Sequence, residues 1–255
     1  MIGDIMEFVT SRQNSAVQHV KKLASNRKYR RETGEFLCEG PKMWAEAMER
    51  GWVVSVLLTS EEELLHQNEG VAARSVLVSP ELLSYAADTE TPQKMIFTCR
   101  IPEQEQTLTG SRFLVLDGVQ DPGNVGTIWR TADAFGADGL ILLPGCADPW
   151  SPKVVRSTMG ACFRLSVMTC TLEELCPLLA AQNIPLYATA LREDTLDIRD
   201  AELKCAAVVI GSEGRGVSGS VLERCKATVK IPMRQRCESL NAAMAAGIVL
   251  WESWR

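Results

Sequence analysis

Short apolar runs alternate with more polar, amphipathic stretches over residues 1–100, a pattern typical of a small α/β domain. The apolar runs predict strands, and the stretches between them predict helices. The strands are predicted at Glu35–Glu39, Val53–Thr59, Ser75–Val78 and Met95–Arg100. The helices are predicted at Val17–Arg31, Pro41–Arg50 and Glu61–Gln67, with a further one that begins at Ser79 and Pro80.

The pattern changes after residue 100. Residues 101–111 are rich in Gln, Glu, Thr and Gly and show no apolar periodicity, which predicts a linker. From residue 112 to residue 255, unbroken apolar runs alternate with helical stretches, which predicts a parallel sheet covered on both faces. The strands of this second domain are predicted at Phe113–Leu116, Gly139–Leu143, Leu186–Ala190, Ala206–Ile210 and Ala227–Ile231, and its helices at Asn124–Phe135, Ser151–Ala161, Leu172–Ala181 and from near Ser239 onward.

The last predicted helix carries almost no charge on any of its faces. A charge-free helix is normally buried, so we expect this one to be inserted into the protein. The polar loop before it, which follows Pro232, must then be held rigidly. That arrangement makes the loop a candidate functional site.

Composition excludes several classes of protein. The 255 residues are 46% hydrophobic and 23% charged, as in ordinary globular proteins, and the longest apolar run, Ala242–Trp251, is half of a membrane span. The first ten residues do not have the pattern of a secretory signal. Nine cysteines in no C-x-x-C pair predict reduced thiols and a cytoplasmic protein. With only two histidines, His19 and His66, we expect no metal site.

Basic residues are concentrated in two places although the net charge is −5. One group lies between Arg12 and Arg31, and the other surrounds the loop after Pro232. Each could be a solvated helix face, but two basic groups in an acidic chain favour localised contact with phosphate. The candidate RNA-binding residues are Arg12, Lys21, Lys28, Arg30, Arg234 and Arg236.

Three loops at predicted strand ends, where parallel sheets bind ligands, have unusual content. The first leads into a helix at Asn124, which we expect to be its N-cap, with Arg130 as the only charge between Asp121 and Asp133. A plain helix cap and a salt bridge would explain these two residues equally well. The loop lacks the Lys-Ser/Thr pair of a Walker A motif.

The second loop runs from Gly211 to Gly216 and contains a single acid, Glu213. A glycine at a strand end allows close approach of a ligand, although a sharp turn alone would also explain it. The third loop carries Ser239 and Asn241, and Ser239 is a candidate cap of the last helix.

Together the three loops resemble the three motifs of the SpoU (TrmH) family of RNA 2′-O-ribose methyltransferases, in the SPOUT class. The family's N-x-G-x-x-x-R corresponds to Asn124–Arg130, its G-x-E-G-x-G to Gly211–Gly216, and its I-P-M with a later S-L-N to Ile231–Asn241. This match covers residues 112–255. The first ninety residues resemble the ribosomal-protein-like substrate-binding domain of many members, through Ser11–Asn14, Lys28–Arg30 and Phe36–Gly40.

The resemblance implies a parallel sheet with a deep trefoil knot and a homodimer with its site at the subunit boundary. It also implies S-adenosyl-L-methionine as the methyl donor, held mostly by backbone groups at Gly211, Ile231 and Leu240, and no metal. The implied substrate is RNA, with ribosomal RNA favoured over tRNA. Residues 1–100 would bind that RNA, and residues 112–255 would be the methyltransferase domain.

Five residues carry the chemistry that the resemblance implies. Arg130 would activate the ribose hydroxyl and stabilise the developing alkoxide. The other four would position the hydroxyl, Arg130 and the methyl donor: Asn124, Glu213, Ser239 and Asn241. The chain departs from the family at Gln235, where a glycine is usual.

Two other functions are weighed against this one. A protein of the same fold could bind RNA without catalysis, and failure to bind S-adenosylmethionine would indicate it. A nicotinamide-dependent enzyme would require a glycine-rich turn and a later acid, and Gly118–Gly126 fits that pattern poorly.

Overall fold

The computed structural model describes residues 7–104, 107–192, 194–234 and 239–255. Arg236, a candidate RNA-binding residue, and Gln235 lie outside the described residues. The chain forms two compact units, of which the first contains residues 1–103 and 150–163 and the second residues 104–149 and 164–255. The first unit therefore includes a segment that follows the first strands and helix of the second unit along the chain.

The first unit is a small mixed sheet with helices. Its sheet has the strand order β1-β4-β3-β5-β2, in which β1, β4 and β3 are parallel and β5 is antiparallel to both of its neighbours. The elements up to residue 103 are β1 (Glu7–Val9), α1 (Ser15–Ser25), α2 (Arg27–Thr33), β2 (Glu35–Glu39), α3 (Pro41–Glu49), β3 (Val54–Thr59), α4 (Glu62–Gln67), β4 (Arg74–Val78), α5 (Pro80–Ala86) and β5 (Met95–Arg100).

The second unit is built on seven strands that are parallel throughout. Their order is β10-β12-β9-β11-β6-β7-β8. The elements after residue 104 are β6 (Arg112–Asp117), α6 (Pro122–Ala134), β7 (Gly139–Leu142), α7 (Pro152–Thr158, in the first unit), β8 (Val167–Thr169), α8 (Leu172–Ala181), β9 (Leu186–Thr189), β10 (Leu196–Asp197), β11 (Ala206–Gly211), α9 (Gly219–Leu222), β12 (Ala227–Lys230) and α10 (Ala242–Trp254).

The predicted fold class is confirmed: a small α/β domain precedes a larger domain with a parallel sheet. The sheet residues are apolar on both faces, as in Ala206–Ile210, where each residue is buried. Among the described helices, none is long and apolar enough to cross a membrane. The eight described cysteines are all free thiols.

Aromatic side chains join residues 150–163 to the rest of the first unit. The Phe36 ring is fully buried, and its centre lies 4.6 Å from that of Trp150 and 5.8 Å from that of Trp52. Trp52 also donates its indole N–H to the carbonyl oxygen of Phe163, at 3.2 Å. Tilted and edge-to-face aromatic pairs at such distances stabilise a core beyond their buried area.

The structure corrects two predicted helices. The basic helix predicted at Val17–Arg31 is two helices, because Asn26 ends α1 and its side chain accepts from the Tyr29 backbone N–H to begin α2. The last helix is not buried on every side. The exposed fractions of Met244, Trp251 and Trp254 are 62%, 51% and 57%, so one apolar face of α10 is open to solvent.

Candidate functional site

A cavity of about 310 Å³ lies at the carboxyl ends of β9, β11 and β12, which are neighbours in the sheet. This is the edge at which parallel sheets bind ligands. The wall is largely apolar. It is formed by Thr189–Leu191 at the end of β9, Ile210–Glu213 and Gly216 at β11, Val229–Ile231 and Met233 at β12, and Ser239, Leu240, Ala242 and Ala245 at the start of α10.

Gly211 is required by the tight fold of the loop after β11. Ser212 and Gly216 form an antiparallel bridge, so the loop turns back directly over Gly211. A Cβ atom on Gly211 would lie 2.1 Å from the carbonyl carbon of Gly216, which is backbone and cannot rotate away. Close packing therefore requires a glycine at position 211 whether or not a ligand binds. Gly211 also lines the cavity.

Asp117 anchors the same loop from the neighbouring strand. It ends β6 directly opposite Gly211, and its Oδ2 accepts from the Ser218 backbone N–H at 2.7 Å. Cys146 donates to the Leu116 carbonyl oxygen close by, and burial raises the pKa of its thiol to about 11. The thiol is therefore neutral at physiological pH. Glu213 is exposed at the tip of the anchored loop.

The prediction that Asn124 is the N-cap of its helix is wrong. α6 begins at Pro122, and Asp121 is the cap: its Oδ1 accepts from the Asn124 backbone N–H at 2.7 Å. Pro122 suits the first helical position, because a backbone N–H there would have no partner within the helix. Because Asp121 caps the helix, the side chain of Asn124 is free to contact the other two loops.

Asn124 links Glu213 to Asn241, and so joins the three loops that the sequence singled out. Its Nδ2 donates to Glu213 Oε1 at 2.5 Å, and its Oδ1 accepts from Asn241 Nδ2 at 3.1 Å. Asn241 Oδ1 accepts from two backbone N–H groups, those of Ala243 and Met244. These bonds fix both amide orientations, because the oxygens meet only donors and the nitrogens meet only acceptors. The Glu213–Asn124–Asn241 chain is the polar edge of the site.

Asn241, and not Ser239, is the N-cap of the last helix. The helix therefore begins three residues later than predicted. Ser239 and Leu240 are both exposed and line the cavity beside Ile231 and Gly211. The three candidate cofactor-binding residues are thus brought together at one cavity, with Ser239 and Glu213 on the same wall.

Replacement of Asn241 separates its two roles. Asn241→Ala is expected to destabilise the protein by about 1 kcal/mol through loss of the helix cap. Asn241→Asp keeps a capping oxygen but loses the donor to Asn124, so its stability is expected to stay close to that of the parent chain. Urea unfolding of both variants measures this. Equal destabilisation by Asp and Ala would show that the contact to Asn124, and not the cap, stabilises the helix.

Arg130 is exposed and does not line the cavity. It lies six residues beyond Asn124 on α6, about 9 Å further along the helix axis. Within the described part of the chain it forms no hydrogen bond or ion pair. Four of the five candidate catalytic residues surround one site. The fifth, Arg130, lies on the same helix as Asn124 and is exposed to solvent.

The candidate RNA-binding residues have very different surroundings. Arg12 is exposed and Lys21 is half-buried, whereas Lys28 forms an exposed ion pair with Glu32 at 3.6 Å. Arg234 is exposed. The prediction that Arg30 binds RNA is wrong. Its side chain is 5% exposed and donates to the Leu23 carbonyl oxygen at 2.6 Å. Because its guanidinium is committed inside the first unit, Arg30 joins α2 to α1 and does not face a ligand.

Sequence reasoning missed two parts of the site. The loop Thr189–Leu191 forms one wall of the cavity, and Asp117 anchors the loop of Glu213. Both lie at the ends of predicted strands of a parallel sheet, and the rule that sites lie at strand ends would have included them. Their side chains carry no motif that would have drawn attention.

The cavity has the properties of a site for a small, partly apolar ligand. Its volume is in the range of small-molecule sites. Its apolar wall would cover a flat ring, and the open backbone at Gly211 and Ile231 would supply hydrogen-bonding groups of fixed position. The nucleoside and methionine ends of S-adenosylmethionine have these requirements, so the residues present fit that molecule.

Two sequence profiles match the chain. That of the SpoU rRNA Methylase family matches residues 111–251, and that of an MRM3-like substrate binding domain matches residues 14–96. A curated relative is 33% identical over 246 residues, covering 96% of this chain and 98% of its own length. It is the Bacillus subtilis 23S rRNA (guanosine(2553)-2′-O)-methyltransferase RlmP.

Two solved structures match this chain over nearly its whole length. An AdoMet-bound rRNA methyltransferase from Sinorhizobium meliloti has a TM-score of 0.88 and 30% identity, with 97% of each chain covered. The SpoU methyltransferase AviRb from Streptomyces viridochromogenes, in complex with AdoMet, has a TM-score of 0.86 and 30% identity. There the match covers 95% of this chain and 97% of AviRb.

Proposed function

The chain belongs to the SpoU rRNA Methylase family and is an S-adenosylmethionine-dependent RNA 2′-O-ribose methyltransferase, and we propose that its substrate is large-subunit ribosomal RNA. Relatives that carry an rRNA methyltransferase name match this chain across both of its units. The match of residues 14–96 to a substrate-binding domain supports the same choice over tRNA. Residues 1–100 would bind the RNA, and residues 112–255 would transfer the methyl group.

The observation that carries this function is the junction of the apolar cavity with the Glu213–Asn124–Asn241 chain. S-adenosylmethionine would be bound by three residues of the cavity wall, Gly211, Ile231 and Leu240. That molecule supplies a methyl group already activated on a sulfonium. The protein therefore has to position a ribose hydroxyl at the polar edge and make it nucleophilic.

Arg130 activates the hydroxyl in this proposal. A guanidinium is too basic to remove a proton by itself, but it binds a neighbouring phosphate and stabilises the alkoxide that develops as the hydroxyl proton passes to solvent water. Asn124, Glu213 and Asn241 hold one another in fixed orientations, and Ser239 lines the same cavity as Glu213. These four residues position the hydroxyl and the donor. A preorganised set of dipoles costs no rearrangement during the reaction.

We propose that the active form is a homodimer in which Arg130 serves the cavity of the partner. Two observations support it: Arg130 has no partner in the described part of its own chain, and α10 exposes an apolar face. α10 contacts α6, the helix that carries Arg130. Contiguous exposed apolar residues are typical of an interaction surface.

A charge on the open face of α10 is expected to separate the subunits. Trp251→Lys places a cation near the helix C-terminus, where the helix dipole tolerates it, so the chain should still fold. Sedimentation equilibrium is expected to give a monomer for the variant and a dimer for the parent. Phe8→Lys, at a residue that is 61% exposed in the first unit, is the control and should remain dimeric. A dimeric Trp251→Lys variant would exclude this face as the interface.

Mixing two inactive variants tests whether Arg130 acts across the boundary. Arg130→Ala keeps an intact cavity, and Gly211→Ala keeps an intact Arg130. Random assortment after unfolding and refolding gives half mixed dimers, each with one complete site, so about a quarter of the parent activity is expected. If Arg130 served its own subunit, the mixture would be as inactive as each variant alone.

The remaining family features are also proposed for this chain. The trefoil knot would form where the segment after β12 passes through the loops of the second unit, and residues 235–238 of that segment lie outside the described residues. β12 lies between β9 and β10, and α10 returns to contact β6 and β11, which supports such a crossing. The eight free cysteines support a reducing, cytoplasmic location.

Methyl transfer to unmodified large-subunit rRNA tests the substrate directly. With isotopically labelled S-adenosylmethionine, we expect one resistant site in alkaline hydrolysis, because 2′-O-methylation blocks cleavage at that nucleotide. The same site should lose its methyl group in RNA from cells that lack the protein. Transfer to tRNA instead would make tRNA the substrate. Binding of RNA with no transfer to either would favour the catalytically silent protein.

A further inference from the structure

One aromatic ring in the first unit carries two cations. The guanidinium carbon of Arg12 lies 4.7 Å from the ring centre of Tyr85, and the Lys21 Nζ lies 5.2 Å from the same centre. Lys21 is on α1 and Tyr85 on α5, two helices in contact. Cation–π contacts of this length are favourable, and a shared ring keeps the two charges near each other.

The ring and both cations are held in place by their surroundings. Tyr85 is half-buried and packs against the core cluster of the first unit. Gln18, one turn before Lys21 on α1, donates its Nε2 to the Arg12 carbonyl oxygen at 2.7 Å and lies 3.4 Å from the Tyr85 hydroxyl. The segment that carries Arg12 is thus tied to the helix that carries Lys21.

Neither cation is neutralised by the described residues. Arg12 and Lys21 form no ion pair among them, in contrast to Lys28, which is paired with Glu32. Glu7, in the strand just before Arg12, is bound to Arg74 at 2.7 Å, and this hydrogen bond lowers the pKa of its carboxyl group. Glu81, one turn before Tyr85, is fully exposed at the start of α5, where backbone hydrogen bonding lowers its pKa.

We propose that Arg12 and Lys21, seated on Tyr85, form a clamp for the phosphates of the RNA backbone. Two adjacent cations repel each other unless an anion lies between or beside them, and a phosphodiester chain offers such anions at regular spacing. Tyr85 is a positioning residue that acts through the two cations. The proposal rests on the proposed function, because it takes RNA as the substrate of this unit.

The salt dependence of RNA binding tests the clamp. Fluorescence anisotropy with a labelled, unmodified fragment of large-subunit rRNA is measured over a range of KCl concentrations. Arg12→Ala and Lys21→Ala are each expected to reduce the slope of log K against log salt concentration by about one. Tyr85→Leu should lower the slope and the affinity although it changes no charge, and Tyr85→Phe should restore both.

Arg31→Ala is the matched control, since it removes the same charge from an exposed residue of α2. Its slope is expected to change less than that of Arg12→Ala. Equal effects of the two would overturn the clamp, and so would a Tyr85→Leu variant with the parent slope. If Tyr85→Leu fails to fold, the slopes of Arg12→Ala and Lys21→Ala, compared with that of Arg31→Ala, still test the clamp.

Methyl transfer distinguishes failure of the clamp from failure of the proposed function. If the parent chain methylates the RNA and the clamp variants bind it normally, only the clamp is wrong. If the parent chain methylates no RNA, the proposed function is wrong whatever the slopes show.

Discussion

Arg130→Ala is expected to lower the rate of methyl transfer by at least 10²- to 10³-fold, the usual effect of removing one preorganised group that stabilises developing charge. Affinity for S-adenosylmethionine should change by no more than about two-fold, because Arg130 does not line the cavity of its own subunit and is proposed to contact the RNA in that of the partner. Single-turnover kinetics measure the first quantity and calorimetric titration the second. The two effects together would identify Arg130 as a residue of the reaction and not of donor binding.

Arg130→Lys provides the charge-matched control for this substitution. Lysine keeps the cation but has no planar fork for bidentate contact with a phosphate, so most of the rate is expected to be lost here too. If Arg130→Ala reduced the affinity for S-adenosylmethionine as strongly as the rate of methyl transfer, the role of Arg130 would be structural.

Gly211→Ala is expected to abolish measurable binding of S-adenosylmethionine. The added Cβ would lie 2.1 Å from the Gly216 carbonyl carbon and 2.2 Å from the Val217 nitrogen, so the loop must move away from the strand end. A displaced loop both blocks the cavity and moves Glu213 out of reach of Asn124. A loss of affinity of at least about 100-fold is expected, since a shift of this size disrupts several contacts together.

Gly214→Ala is the matched control in the same loop. A Cβ on Gly214 would meet no atom within 4 Å, so this variant should bind S-adenosylmethionine like the parent chain. Calorimetric titration compares the two, and thermal unfolding shows whether each remains folded. Normal binding by Gly211→Ala would mean that the loop relaxes freely and that the close packing at this strand end is unrelated to the donor site.

The strands of the sheet could be predicted well from sequence because burial on both faces leaves an unbroken apolar run. The bounds predicted for Glu35–Glu39 and Met95–Arg100 are those observed. β1, β8 and β10 were missed, since strands of two or three residues are too short to show a pattern. Length therefore decided which strands the sequence could reveal.

Side-chain partners could not be predicted, because they depend on which atoms meet in three dimensions. Asn124 has the right chemistry for a cap, and only the position of Asp121 shows that the cap is already made. Arg30 belongs to a basic run and is nevertheless buried by the fold. The resemblance to a family brought Asn124, Glu213 and Asn241 together, while the direction of each amide came from the structure.

The aromatic contacts of residues 150–163 have a consequence for how this protein can be divided. A cut at the linker would leave Trp150 and Phe163 on one fragment and the rings that cover them, Phe36 and Trp52, on the other. Neither fragment would have a complete hydrophobic core. Limited proteolysis at residues 104–111 is therefore expected to yield two cleaved fragments that stay associated. In evolution, the two units would be inherited together, and replacement of the first unit alone would require a matching change at residues 150–163, which lie within the sequence of the second.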